Sequence, residues 1–324
     1  MSQIKDRLFS FIVRRYQSQE SKELGDYVFS NHLFHSFEEE FADFLLDARD
    51  EIHLYLSSVN DAEELIEYCV RSTKEYAYKR NQFIHFTGQY DELLQAEYLD
   101  LLEGIKKLTG GEMSRVENSR SFGTLLQRHH ERLRLILSSY CVVSTQRDLK
   151  DNPLLQSVPC EEYSSHFQLD LLNIDPHLVV EPVLDIGCGT DGTLVKYLKS
   201  NGLDACGFDR LAPKGDSFSE SSWFDFNYES RKWGTVIAHQ SLSTHFIYNY
   251  LSNSAMLEEY AKLFLRILDA LKTDGTFYYA PGLPFFEETL ARLGKYRMTR
   301  KTLVSDFLGI GEIAYSTQIQ PISK

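Results

Sequence analysis

Apolar positions in residues 1 to about 148 recur at helical spacing. In FEEEFADFLL, Phe37, Phe41, Phe44 and Leu45 fall on one face. Ala62 to Val70, Leu93 to Leu108 and Leu125 to Leu137 repeat the pattern, and Thr109-Gly110-Gly111 stops one of these runs. Proline is absent here and strand-like alternation is scarce, which predicts an all-helical bundle of about six helices. Asp151-Asn152-Pro153 breaks the pattern, and Pro159, Pro176 and Pro182 punctuate the segment beyond it. Within that join, Tyr163 to Leu172 fits a short helix. From Pro182 onward short apolar runs alternate with amphipathic segments, the mark of a mostly parallel α/β sheet. Met256 to Leu271 is the clearest helix there, with Leu257, Phe264, Leu268 and Leu271 on one side. The ending, Ile313 to Ile322, alternates like a strand. The expected organisation is a helical domain over 1–150, a connection over 151–180 and an α/β domain over 181–324.

The most informative stretch is Val183-Leu184-Asp185-Ile186-Gly187-Cys188-Gly189-Thr190-Asp191-Gly192, with an amphipathic run from Leu194 to Leu198 after it. A strand, a glycine turn and a helix gather backbone N–H groups and a helix N-terminus around one point, where a nucleotide-like ligand can sit. Two ligands compete for the turn. The spacing of Gly187, Gly189 and Gly192 matches the dinucleotide pattern G-x-G-x-x-G, with Asp209 near the distance expected of a ribose-binding acid. Asp185 shifts the balance. A carboxylate two residues before the first glycine repels a pyrophosphate. It suits a phosphate-free ligand carrying a cationic amine and a sulfonium, such as S-adenosylmethionine (SAM).

The segment resembles the first motif of class I SAM-dependent methyltransferases, and the resemblance covers roughly residues 180 to 290. YLKSNGLDACGFDR, ending in Asp209 and Arg210, is similar to that family's first helix and second strand. Trp223-Phe224-Asp225-Phe226 resembles the third strand and its adenine-facing turn, Thr235 to His239 the fourth strand, and Leu271 to Tyr279 the turn into the fifth. One departure is Asp191, where the family often has glycine. The resemblance implies a Rossmann-like domain, a mostly parallel sheet with an antiparallel edge strand from the C-terminal residues. It also implies SAM as cofactor. Gly187, Cys188 and Gly189 would meet the methionine part and Asp185 its amine. Asp209, with Arg210 beside it, would hold the ribose hydroxyls. Asp225 would meet the adenine amino group, and Phe226 with Phe208 would pack near the ring.

The acceptor side should lie beyond the fourth strand, because the carboxyl ends of parallel strands form the ligand crevice. His-Gln-Ser-Leu-Ser-Thr-His over residues 239–245 places His239 and His245 there, as a cofactor or substrate contact and as a base, since imidazole titrates near neutrality. The segment Tyr279-Ala280-Pro281-Gly282-Leu283-Pro284 should border the same pocket.

Charge and composition narrow the partners. The 324 residues carry a net charge of −13. Residues 1–150 hold 19 Lys+Arg against 25 Asp+Glu, and the remainder 15 against 22, so neither half is basic. Bulk electrostatics therefore disfavour nucleic acid and favour a small-molecule methyl acceptor. The strongest basic stretch is Arg128-His129-His130-Glu131-Arg132-Leu133-Arg134; it reads as an ion-paired helix face, or as a phosphate contact in a rival reading. His32 and His35 beside Glu38 and Glu39 are spaced for a metal but read as a solvated face. Five dispersed cysteines, Cys69, Cys141, Cys160, Cys188 and Cys206, give neither a zinc motif nor a disulfide framework. Leu8 to Val13 is too short for a signal core and no run approaches the ~18 apolar residues of a membrane span, so a cytoplasmic protein is expected. The rivals to a metabolite methyltransferase are an RNA or protein methyltransferase that docks its substrate on the helical domain, a non-catalytic SAM-binding module, and a dehydrogenase.

Overall fold

The computed structural model describes residues 2–17, 24–29, 35–86, 88–111, 115–160, 162–252, 254–303 and 313–322. They form two compact units, Met1–Cys160 and Glu161–Lys324.

The first unit is helical: α1 Ser2–Gln17, α2 Leu24–Phe29, α3 His35–Asp47, α4 Arg49–Ser57, α5 Val59–Arg80, α6 Gln89–Gly110 and α7 Arg115–Thr145. The Ser58 hydroxyl caps α5 by accepting from Asp61 N at 3.4 Å. Leu94, Tyr98, Leu101, Leu102 and Ile105 of α6 are buried at helical spacing. They pack against α4, α5 and α7. The basic run on α7 is spent internally. Arg128 and Arg132 pair with Asp100, Arg132 also reaches Glu97, Arg134 donates to the Val28 carbonyl, and His129 and His130 are buried. It is an ion-paired face and offers no row of cations to phosphates. His32 and the side chains of His35, Glu38 and Glu39 lie outside the described residues. Among the described residues no cluster of His, Cys, Asp and Glu could hold a metal, and no helix is long and apolar enough to cross a membrane.

The second unit contains α8 Ser165–Leu172, β1 Val183–Ile186, α9 Thr193–Ser200, β2 Ala205–Asp209, β3 Phe218–Glu220 and β4 Trp233–His239. It continues with α10 Leu242–Leu251, α11 Leu257–Asp269, β5 Leu271–Ala280, α12 Pro284–Arg292, β6 Tyr296–Thr302 and β7 Tyr315–Pro321. The sheet order is β3-β2-β1-β4-β5-β7-β6. All neighbours from β3 to β5 pair in parallel, and β7 runs antiparallel to both β5 and β6. The expected antiparallel strand is therefore present, one place in from the edge, because β6 pairs along its outer side.

Both faces of this sheet are covered, which explains why its strands read as continuous apolar runs rather than alternating ones. Leu184, Ile186 and Val236 face α10 and α11 through Leu242, Phe246, Leu263, Phe264 and Ile267. Val183 and Ile237 face α8 and α9 through Leu169, Leu172, Leu194, Val195 and Leu198. The α8 helix, capped by Ser164 and stopped by the left-handed Asn173, thus belongs to this layer although it precedes the first strand by sequence.

Trp223 to Phe226 is not the third strand. That strand is Phe218–Glu220, paired with Gly207–Asp209. At Trp223–Phe226 the Ser222 hydroxyl donates to the Asp225 carboxylate at 2.5 Å and accepts from Asp225 N at 3.2 Å, and Phe226 N donates to the Ser222 carbonyl at 3.1 Å. These local bonds close a turn despite the aromatic residues within it.

Candidate functional site

The parallel strands β1, β2, β4 and β5 end at the same side of the sheet. The chain leaves β1 for β2 on one flank and β4 lies on the other, so the order reverses between β1 and β4. Crevices at such reversals are where open α/β sheets bind ligands. Gly187 and Ser241 meet there. The Ser241 hydroxyl donates to the Ile186 carbonyl at 2.7 Å, and a Cβ on Gly187 would lie 2.6 Å from that of Ser241 and 3.7 Å from Trp223 Nε1. Gly187 also has φ +76°, so two requirements fix glycine at this position.

Four of the turn's N–H groups already have acceptors. Gly187 N and Cys188 N both donate to the Phe208 carbonyl, at 2.9 and 3.2 Å. Glu162, which carries no motif of its own in the sequence, sets its carboxylate over the rest of the turn. It accepts from Thr190 N at 2.6 Å, from the Thr190 hydroxyl at 3.0 Å and from Asp191 N at 3.4 Å. It lies against the bare Cα of Gly189, whose φ is +72°, and any Cβ there would collide with the carboxylate. Asp191, the departure from the family pattern, contributes its backbone N–H to this contact.

Asp185 is buried at 3% exposure. Burial first, then the charges of Asp209 and Glu162, push its carboxyl from 3.8 up to about 7. Three acids therefore surround the glycine turn, and among the described residues no cation offsets the shift. Asp209, half-buried at the end of β2, accepts from Leu211 N at 2.9 Å, and Arg210 beside it is also half-buried. Cys188 is buried and packs toward Gly207; burial raises its thiol far above its ordinary range, so it is an inert filler.

The aromatic side of the crevice differs from expectation. Phe208 is fully buried and stacks on Phe226, with ring centroids 3.9 Å apart and planes 4° from parallel. A ligand ring cannot enter between them, and Phe208 is a core residue. One face of Phe226 is spent in the same stack. Trp223 lies beside Gly187 and meets the His245 ring edge-on at 4.4 Å, while Phe218 packs against Gly192 at the far end of the turn. Asp225 is exposed and already engaged by Ser222.

His239 ends β4 and is 7% exposed. Tyr163 and Phe167 approach its ring edge-on at 5.0 and 5.9 Å, and Nε2 has no hydrogen-bond partner among the described residues. Burial lowers its pKa to about 4, so the imidazole is neutral at physiological pH. Next to it, Gln240 adopts φ +46° while accepting from the Tyr163 hydroxyl at 3.1 Å. A non-glycine residue in this region costs ~1–3 kcal/mol and clusters at functional sites. His245 is 4% exposed on α10.

After β5, the loop expected to border the acceptor pocket is anchored by Glu287 of α12. Its fully buried carboxylate accepts from Tyr279 at 2.5 Å, Leu283 N at 2.9 Å, Tyr315 at 2.9 Å and Thr317 at 3.0 Å, and pairs with Arg300 at 2.6 Å. The site residues missed from sequence are thus Glu162, Tyr163, Trp223 as a ring over the turn, and Ser241. Of these, only Trp223 carries a local signal, and its aromatic neighbourhood resembles a strand.

No protein-family model and no curated protein matches the chain. Several solved structures resemble it in part. The plantazolicin methyltransferase BpumL in complex with SAH is 14% identical over 48% of this chain and 82% of its own, with TM-score 0.32. The CcbJ methyltransferase from Streptomyces caelestis is 11% identical over 45% of this chain and 86% of its own, with TM-score 0.31. The type I restriction-modification system methyltransferase subunit from Streptococcus thermophilus is 10% identical over 99% of this chain and 85% of its own, with TM-score 0.32. Likenesses at this level carry no weight about substrate or partner, and the fold rests on strand order and motif placement. On those grounds the unit Glu161–Lys324 has the Rossmann-like fold of the class I methyltransferases.

Proposed function

We propose that the chain is a SAM-dependent methyltransferase whose acceptor is a small or medium-sized metabolite. One observation carries this reading: Asp185, Glu162 and Asp209 ring a glycine turn whose N–H groups at Gly187, Cys188, Thr190 and Asp191 are already bonded. Such a site attracts a cation and repels a phosphate. Among nucleoside cofactors, the phosphate-free, positively charged one is SAM.

When bound, SAM supplies an activated methyl group on a sulfonium that leaves as a neutral thioether. The chain's residues then have to hold and align. Asp185, with Glu162 nearby, meets the ammonium, and Asp209 accepts from the ribose hydroxyls, with Arg210 alongside. Gly187, Cys188 and Gly189 border the methionine part. Trp223 and the outer side of Phe226 supply apolar contact, and Asp225 takes the adenine amino group by releasing Ser222. Alignment of acceptor and methyl can supply ~7–11 kcal/mol in favourable cases. His239, neutral and with an open Nε2, accepts a hydrogen bond from the acceptor's hydroxyl or amine and orients its lone pair. With its pKa at about 4 it is too weak a base to hold the released proton at neutral pH, which passes to His245 or to water. The ion-paired state of Arg128 and Arg132 supports a small acceptor over RNA.

Calorimetry with SAM, SAH and NAD tests the cofactor. Binding of the first two and not the third is expected; binding of NAD alone would overturn the reading. Incubation with radiolabelled SAM and fractionated extract tests the acceptor. Label in the small-molecule pool is expected, whereas label in RNA or protein would replace the metabolite assignment.

A further inference from the structure

Gln240 stands between β4 and α10, and its backbone is pinned on both sides. Its N–H donates to the Ala280 carbonyl at the end of β5 at 2.8 Å. The next residue, Ser241, is tied by its hydroxyl to the Ile186 carbonyl at the end of β1 at 2.7 Å. Between these anchors the chain takes φ +46°, which glycine would adopt without strain and glutamine does not.

The side chain is held as firmly. Its Oε1 accepts from the Tyr163 hydroxyl at 3.1 Å. Tyr163 is itself fixed, because its carbonyl accepts from Gln168 Nε2 at 2.9 Å and from the Thr193 hydroxyl at 3.1 Å. An amide whose oxygen is engaged in this way presents its two N–H donors on the other side. Gln240 Nε2 bonds no described residue, and the side chain is only half-buried at the carboxyl end of β4. One neutral hydrogen bond contributes less than the backbone strain costs, so the bond to Tyr163 does not by itself account for glutamine here. A second task for the amide does.

Tyr163 also adjoins His239, whose ring it meets edge-on at 5.0 Å. One tyrosine therefore flanks an unpartnered acceptor, His239 Nε2, and an unpartnered pair of donors on Gln240. We infer that Gln240 is a substrate-binding residue: its amide donates to a neutral carbonyl oxygen of the methyl acceptor, beside the hydroxyl or amine that donates to His239. The acceptor is thus a hydroxy- or amino-carbonyl compound. A carboxylate in place of the carbonyl would meet the charges of Glu162, Asp185 and Asp209 around the adjoining glycine turn. The inference rests on the methyltransferase reading, because it needs a methyl acceptor at the carboxyl end of β4.

The test incubates radiolabelled SAM with increasing amounts of the small-molecule fraction of an extract, using the full chain as wild type, Gln240→Glu and Gln240→Asn. Glutamate keeps the reach and the bond to Tyr163 but loses the donors; asparagine suits a positive φ but falls one carbon short. Each should raise the half-saturating amount of the fraction ~10-fold or more, and by more than it lowers the plateau rate. SAH affinity, measured by calorimetry, should stay within about twofold. Mass spectrometry and NMR of the wild-type product should show a carbonyl beside the methylated atom. A half-saturating amount unmoved in both variants, an SAH affinity that falls by the same factor, or a product without that carbonyl would each overturn the inference and leave the methyltransferase reading standing. A wild-type chain that binds neither SAM nor SAH, or labels nothing in the fraction, would overturn both. The product comes from the wild type, so it decides even if neither variant folds.

Discussion

Asp185 should destabilise the cofactor-free protein, and Asp185→Asn should reveal by how much. The carboxyl stands at about 7 in the folded chain against 3.8 ordinarily. Because the folded state holds the proton more tightly, it binds more protons than the unfolded chain between those values, and stability falls as pH rises through that window. The displacement corresponds to about 4 kcal/mol at full ionisation, an upper figure because water enters crevices of this kind. Asparagine keeps the shape and removes the charge, but brings an amide whose unmet hydrogen bonds cost ~1–3 kcal/mol. A net gain of about 1–3 kcal/mol is expected at pH 8, raising the melting temperature by roughly 2–4 °C per kcal/mol for a unit of this size. Near pH 5 the folded carboxyl is protonated while the unfolded one still ionises, so only about 1.6 kcal/mol of the cost remains, which the amide penalty offsets, and the net advantage should vanish. Thermal and urea unfolding of the two proteins at both pH values measures this. A variant no more stable than wild type at pH 8, or an equal gap at both pH values, would refute the electrostatic account of the turn. The same variant should lose SAM affinity at least ~10-fold, since the ammonium loses a charged partner worth ~1.5–3 kcal/mol. SAM binding near pH 6.5 should release protons, visible as a buffer-dependent binding enthalpy that Asp185→Asn removes.

Asp209→Ala should weaken SAM binding by ~10–100-fold with little change in melting temperature, because its carboxylate is half-exposed and accepts from Leu211 N at the surface of the crevice. Gly189→Ala should cost ~1–3 kcal/mol in urea unfolding and also reduce SAM affinity, because it forces Glu162 off the turn at a positive φ. Glu287→Leu removes the acceptor of four hydrogen bonds and one ion pair at once. It should cost ~3–5 kcal/mol of stability, measured in the cofactor-free protein. His239→Phe should lower turnover while leaving SAM affinity within about twofold. Because His239 is already neutral above about pH 4, the wild-type rate with saturating SAM should show no step near pH 6.5 that this variant abolishes.

Features decided locally are legible in the chain. The run Val183 to Ile186 and the glycines after it encode their strand and turn within ten residues, and the helices of the first unit carry their own 3.6-residue period. The fourth and fifth strands and α11 are legible for the same reason. The third strand is not. Phe218-Ser219-Glu220 is short, half-exposed and carries no apolar run, while Trp223 to Phe226 is aromatic and looks like a strand. Ser222 bonding Asp225, and Phe226 stacking on Phe208, override that appearance. Sheet order is non-local, so an alternating C-terminal run announces β7 without announcing that β6 pairs outside it. Glu162 is hidden most completely. It stands 28 residues before Thr190, and only the packing of α8 on the sheet brings it to the turn.

One spacing of glycines can thus serve ligands of opposite charge. In a dinucleotide site the turn's N–H groups are open and the helix N-terminus behind them receives a phosphate. Here the Phe208 carbonyl takes the N–H groups of Gly187 and Cys188, and the Glu162 carboxylate takes those of Thr190 and Asp191. A pyrophosphate would have to displace a carboxylate that makes three hydrogen bonds, and would do so beside Asp185 and Asp209. A cation needs none of those N–H groups and gains from all three acids. Glycine spacing alone shapes a place for backbone to approach a ligand; the sign of charge that the place accepts is set by which residues already occupy its donors. In this chain both the buried acid before the turn and the distant acid folded over it point the same way.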